Sequence, residues 1–290
     1  MDDRLRRVTF MSSDGVKLVG DCGGAADAPC VILLHGGGQT RHSWSRAVER
    51  LLDAGLQVIN FDARGHGESD WSPDGAYELT DRAADLAAVT ADLRVPFILI
   101  GASLGGATSI EAVHEGMRPA GVVLVDIVPE PDPRGIARIV GFMHGHQDGF
   151  ASVDEAAAAV ASYNPQREKP RDTKGLRKNL RARGDGRLYW HWDPRILATE
   201  PAVHHVAVER ASETLAALTT IPVLLVRGLS SDVVGEEGVE AFRRQMPRLE
   251  ILDVMGAGHM VAGDRNDAFN DGVIDFARRI LTPDEVSEYR

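Results

Sequence analysis

The sequence holds little cysteine: two residues in 290, Cys22 and Cys30. Two are too few for a disulfide framework, and neither sits in a C-x-x-C metal or redox pair, so both read as thiols in or near adjacent strands. Long hydrophobic runs are missing as well. The longest, such as Val31–Leu34 and Phe97–Ile100, fall far short of a membrane span. Excess positive charge is also absent. Asp and Glu number 43 against 32 Lys and Arg, a formal charge of −11. No basic cluster offsets it, so a nucleic-acid backbone or an anionic membrane surface would be repelled. The amino terminus carries Arg4, Arg6 and Arg7 with no apolar stretch behind them, which is not a signal peptide. The expectation is a soluble, cytoplasmic protein acting on a small molecule, with neither nucleic acid nor membrane as partner. Nothing in the sequence excludes a homo-oligomer.

What is present is a rhythm. Arg4–Met11 and Val16–Cys22 are β-leaning runs joined through Asp14-Gly15, a hairpin signal. From residue 30, short apolar runs (Cys30–Leu34, Leu56–Phe61, Pro96–Ile100, Gly121–Val125) alternate with helical patterns at Ser43–Ala54 and Leu79–Leu93. Continuously apolar strands imply a parallel sheet covered on both faces, and the alternation implies a doubly wound α/β fold. A breaker cluster at Pro129, Pro131 and Pro133 interrupts the rhythm. Strands resume at Ile221–Arg227 and Leu249–Met255, with helices at Glu236–Gln245 and Asn266–Leu281. Residues 129–218 therefore form a helical insertion between two parts of one sheet domain, 1–128 and 219–290.

The chemistry concentrates at Gly101-Ala102-Ser103-Leu104-Gly105, where an apolar strand runs into G-x-S-x-G and then a helix. That arrangement lifts a serine hydroxyl above the carboxyl edge of the sheet and points a helix N-terminus at it. The rival Gly-rich phosphate loop lacks its Gly-Lys-[Ser/Thr] ending. A serine needs a base. His259, in the Gly256-Ala257-Gly258-His259 loop after the last strand, is best placed; His66 and His191 are rivals. Asp232, in the loop after Val223–Arg227, is expected to orient the imidazole, with Asp126 as the alternative acid. The glycines of His35-Gly36-Gly37-Gly38 let backbone N–H groups approach an oxyanion, so Gly37 and Leu104 are the expected donors.

Taken together, His35–Gly38, Asp62-x-Arg64-Gly65-His66-Gly67-x-Ser69, the serine elbow, Asp232 and the His259 loop resemble the α/β-hydrolase superfamily over residues 8–128 and 219–281. The likeness is to the branch of bacterial esterases, cofactor-free haloperoxidases (perhydrolases) and epoxide-hydrolase-like proteins. It implies that residues 129–218 form a cap over the site and that Asp62–Ser69 is mainly structural. It also sets serine apart from the elbow aspartate of dehalogenases and epoxide hydrolases, which favours an acyl-enzyme.

The expected activity is hydrolysis of a small to medium carboxylic ester or lactone, without a cofactor. Perhydrolysis, carbon–carbon bond hydrolysis and a slow-turnover ligand receptor are the alternatives. Trp190, His191 and Trp192, with Phe142 and Met143, are candidates for the substrate pocket or for glue between insertion and core. His144, His146, His204 and His205 lack further ligands, so no metal is expected. The Arg167–Arg187 stretch, interleaved with acids, reads as a solvated face.

Overall fold

A computed structural model describes residues 3–163, 174–198, 201–259 and 267–281. The basic stretch from Arg167 to residue 173 and the C-terminal residues 282–290 lie outside the described residues. The strands are β1 (Leu5–Met11), β2 (Lys17–Gly23), β3 (Cys30–Leu34), β4 (Gln57–Phe61), β5 (Phe97–Ala102), β6 (Gly121–Val125), β7 (Leu180–Ala182), β8 (Leu188–Trp190), β9 (Val223–Gly228) and β10 (Glu250–Val254). The α-helices are α1 (Ser45–Asp53), α2 (Leu79–Thr90), α3 (Leu104–His114), α4 (Pro133–His144), α5 (Val153–Tyr163), α6 (Lys174–Arg177), α7 (Pro201–Ala217), α8 (Glu236–Gln245) and α9 (Asp267–Leu281).

Eight strands form one sheet in the order β1-β2-β4-β3-β5-β6-β9-β10. The β1–β2 and β2–β4 pairs are antiparallel and the remaining pairs are parallel. The opening hairpin turns at Gly15, whose φ of +85° is the left-handed geometry the turn needs.

Side-chain alternation explains why the central strands are apolar throughout. Val31, Leu33, Ile98, Ile100, Val123, Val125, Leu224 and Val226 point to one face and pack with Trp44, Val48 and Leu51 near α1 and with Phe269, Val273 and Phe276 of α9. Their neighbours point the other way. Ile32, Leu34 and Leu99 meet Leu86 of α2, while Val122, Leu124, Val223 and Leu225 meet Ile110 of α3 and Phe242 of α8. With helices on both faces, neither set of side chains is left in water.

Between β6 and β9 the chain leaves the sheet for α4 to α7 and the small β7–β8 hairpin. This segment builds its own apolar cluster from Met143, Phe150, Ala156, Trp190, Trp192 and Ile196, joined by Tyr77 from the core. Its last helix behaves differently. Ala211 and Leu215 of α7 are fully buried in the cluster of α3, β6 and β9, so α7 returns the chain to the helical layer of the sheet. No helix among the described residues is long and apolar enough to cross a membrane.

Candidate active site

In this sheet β3 leads to β4 on one side and then, through β5, to the other, so the carboxyl ends of β3 and β5 flank the topological switch point, the usual place for a ligand. Ser103 sits there between β5 and α3 with φ +47° and ψ −112°, a region costly for any residue with a Cβ. Close packing maintains it. A Cβ on Gly101 would lie 2.3 Å from the carbonyl oxygen of Gly105, and one on Gly105 would lie 2.3 Å from that of Leu34. The glycines of the elbow are thus required by the approach of helix to strand.

Asp126, directly after β6, is another non-glycine residue with positive φ (+50°). Its carboxylate is buried and accepts three hydrogen bonds: from His259 Nδ1 at 2.7 Å, from Ser231 Oγ at 2.6 Å and from the Gly228 N–H at 3.2 Å. Because a carboxylate only accepts, Nδ1 of His259 carries the proton and Nε2 keeps its lone pair. The β9 end is pressed against the histidine loop, since a Cβ on Gly228 would lie 2.5 Å from the carbonyl oxygens of Ala257 and Gly258.

Asp232 does not take the place expected for it. Its carboxylate pairs instead with Arg138 of α4 at 2.5 Å, with the two side chains 40% and 47% exposed. The reason is the turn after β9. Ser231 points inward, bonding Asp126 and accepting the N–H groups of Val233 and Val234, and the next side chain is directed away. Ser231 and Gly228 went unnoticed in the sequence, where a serine in a Gly-Leu-Ser-Ser-Asp turn carries no signal for an acid on a different strand.

Ser103, Leu104, Gly37, Asp126 and His259 line one cavity of about 1580 Å³, together with Phe142, Met143, Trp190 and Trp192. The two indoles stack at 5.0 Å and are 7% and 4% exposed. They line the cavity and pack in the cluster of the inserted segment, which Tyr77 of the core joins. His191 is not among the lining residues; it is buried behind the wall. In the Gly36–Gly38 loop, the Gly36 N–H bonds Gln39 Oε1 at 3.1 Å and the Gly38 N–H bonds His66 Nε2 at 3.1 Å. The Gly37 N–H has no hydrogen-bond partner among the described residues. The first turn of α3, which begins with Leu104, has no side-chain cap. Two unspent N–H groups therefore belong to residues on the cavity wall.

Three imidazoles stand behind the loop. His35 bonds the Gly36 carbonyl (2.8 Å) and the Ala63 N–H (3.0 Å), and His66 bonds the Arg64 carbonyl (3.0 Å) and the Gly38 N–H. His191 accepts from the Gly67 N–H at 2.7 Å and reaches the Gly38 carbonyl at 3.3 Å. Burial pushes all three below the ordinary imidazole range, His191 to about 3, so each is neutral with one donor and one acceptor engaged. Two buried ion-pair groups fix the 62–69 loop that carries His66: Arg41 with Asp21 and Asp62, and Arg64 with Asp85. Among the described residues no three His, Cys, Asp or Glu side chains are grouped to hold a metal.

A serine elbow of this shape at the carboxyl edge of a parallel sheet marks the hydrolases of α/β fold. The chain belongs to the alpha/beta hydrolase family, whose model matches residues 31–272. It is similar to an esterase of Mycobacterium tuberculosis, 30% identical over 267 residues that cover 88% of this chain and 83% of the esterase. The solved structure of the Mycobacterium tuberculosis esterase matches with a TM-score of 0.69 at 27% identity, covering 96% of this chain and 91% of that one. The 2-(acetamidomethylene)succinate hydrolase of Mesorhizobium japonicum is 29% identical over 238 residues, 80% of this chain and 82% of the relative. A solved alpha/beta hydrolase from Novosphingobium aromaticivorans shares the fold, with a TM-score of 0.78 at 24% identity over 94% of this chain and 99% of that one.

Proposed function

We propose that this hydrolase cleaves carboxylic esters through an acyl-enzyme on Ser103. The observation that carries the reading is the 2.7 Å bond from His259 Nδ1 to the buried Asp126 carboxylate, in the cavity that Ser103 lines. Asp126 holds the tautomer in which Nε2 is free to act as base, and it stabilises the imidazolium that forms. His259 Nε2 takes the Ser103 proton as Oγ bonds the ester carbonyl carbon, and the Gly37 and Leu104 N–H groups stabilise the oxyanion. His259 then returns the proton to the departing alkoxide as the C–O bond breaks. Water, deprotonated by the same imidazole, attacks the acyl carbon, and the imidazolium returns the proton to Ser103 Oγ as the acyl–Oγ bond breaks, releasing the carboxylic acid and free Ser103.

The inserted segment acts as a cap. It supplies Phe142, Met143, Trp190 and Trp192 to the wall. At about 1580 Å³ the cavity exceeds the roughly 300–1,000 Å³ of ordinary small-molecule pockets. That supports an ester with a sizeable apolar part rather than a small one such as an acetate.

A fluorophosphonate probe read by intact mass tests the mechanism. The expected result is one adduct, mapped to Ser103 and lost in Ser103→Ala; no adduct on the folded chain overturns it. A series of 4-nitrophenyl alkanoates then tests chain length, with kcat/KM expected to rise from acetate to longer acyl groups.

A further inference from the structure

One side chain on the cavity wall is chemically out of place. Arg82 of α2 lines the cavity with Ser103, Asp126 and His259, yet it is only 3% exposed. Its Nε donates to the Tyr77 carbonyl at 3.3 Å and its Nη1 to the Arg64 carbonyl at 3.4 Å, both near the long limit for such bonds. A guanidinium has five N–H donors. The pair on Nη2 and the second on Nη1 have no acceptor among the described residues, and no carboxylate there pairs with Arg82.

The acid nearest in sequence, Asp85, is already used. Its two oxygens accept from Nε and Nη2 of Arg64, both at 2.7 Å. Burial lowers the Arg82 guanidinium to about 10, which leaves it charged at neutral pH. Asp85 lies near enough to favour the Arg82 charge, but it is shared with Arg64 and makes no hydrogen bond to Arg82. A largely buried cation that shares its counter-charge in this way is better satisfied when a ligand on the cavity side brings a further negative charge.

The other charged lining residues do not compete. Glu130 and Asp154 are exposed to solvent, and Asp126 is spent on His259, Ser231 and Gly228. Burial pushes His204, also on the wall, below the ordinary imidazole range, against the attraction of Glu78 and with Arg82 adding to the effect. Much of the remaining wall is apolar, including Ile136, Ile139, Val140 and Val208. The cavity thus combines a long apolar surface with one largely buried cation whose Nη2 donors are unused among the described residues, and a guanidinium offers the paired donors that suit the two oxygens of a carboxylate.

We propose that the natural substrate carries, apart from its scissile ester, a carboxylate that Arg82 binds. The inference rests on the ester-hydrolase reading above and names the class within it: an ester with an apolar body and an anionic end. Charge-assisted hydrogen bonds to an ionised partner imply a preference for the anionic over the neutral ester of about 10–100-fold in kcat/KM.

The test uses matched 4-nitrophenyl esters of increasing length, ω-carboxyalkanoates against plain alkanoates. The wild-type chain is expected to prefer the carboxylate at one or more lengths. The ratio of the two kcat/KM values should fall towards one in Arg82→Gln and be partly kept in Arg82→Lys. Neutral esters cleaved with no carboxylate preference at any length would overturn the inference while leaving the hydrolase reading intact, and this outcome requires no variant. Absence of both turnover and a Ser103 adduct would overturn the hydrolase reading instead. In that event calorimetric titration of alkanedioates still decides the site. Binding that Arg82→Gln abolishes supports it, and no binding, or equal binding to both proteins, overturns it.

Discussion

The backbone N–H of Gly67 donates to Nδ1 of His191 over 2.7 Å, joining the loop after β4 to the inserted segment. The other nitrogen of that ring reaches the Gly38 carbonyl at 3.3 Å, while the Gly38 N–H bonds His66 at 3.1 Å. Neutral imidazoles therefore grip Gly38 at both its N–H and its carbonyl. The consequence reaches Gly37 from both sides: its N–H shares a peptide plane with the Gly36 carbonyl, which accepts from His35 at 2.8 Å and from the Gln39 N–H at 3.1 Å, and the next peptide is the one His66 holds. If Gly37 serves as the proposed oxyanion donor, His191, which is not on the cavity wall, acts on it as a positioning residue through Gly38.

Replacing His191 with Ala should therefore lower kcat by about 10–100-fold and change KM much less, because an oxyanion donor is used chiefly in the transition state. His191→Gln, with one amide acceptor and one amide donor, should recover part of the loss. Steady-state kinetics on one ester would check this; an effect confined to KM would assign His191 to ground-state packing.

The same three imidazoles make stability depend on pH. Their folded values lie below the ordinary value of about 6.5, with His191 near 3. The unfolded chain then binds more protons than the folded one below about pH 6.5. The stabilisation is complete above that pH and is lost as pH falls towards the folded values. Denaturant unfolding between about pH 7 and pH 5 should show stability declining with acid, and His191→Gln should flatten the decline.

The two candidate acids separate by mutation. Asp126→Asn keeps the shape but no longer fixes the protonated Nδ1, and it should lower kcat on the order of 10³–10⁴-fold. Asp232→Asn loses only an exposed pair with Arg138, so kcat should stay within about twofold and stability within about 1 kcal/mol. Assays of both variants on one 4-nitrophenyl ester give the comparison; the reverse order would restore Asp232 to the role.

Glycines divide in the same way. Gly105→Ala would drive a Cβ to 2.3 Å from the Leu34 carbonyl oxygen. A loss of about 1–3 kcal/mol is expected, or more if the strand cannot shift. Gly141, inside α4, has nothing within 4 Å of its absent Cβ. Gly141→Ala should therefore raise stability by about 0.5–1 kcal/mol through helix propensity and reduced unfolded-state entropy. Thermal melts of the two variants should move in opposite directions.

Whatever depends on neighbours along the chain was legible before the fold. Apolar runs alternating with helical patterns specify covered parallel strands. The spacing of Gly101, Ser103 and Gly105 specifies a strained turn between strand and helix. That Gly37 and His259 lie at the carboxyl edge of the sheet was legible because each loop follows directly on a strand. Which carboxylate meets His259 was left to the tertiary structure. β6 and β9 are adjacent parallel strands with Val125 beside Val226, so Asp126 and Asp232 both follow strands that end at the same edge. The choice between them is made by the left-handed backbone at Asp126 and the inward turn of Ser231, conformations set by packing from residues distant in sequence. The surroundings of His191 and Arg82 depend on tertiary packing in the same way. Whether a polar side chain in an insertion or on a helix is exposed, bonded or left without a partner depends on what the fold brings against it.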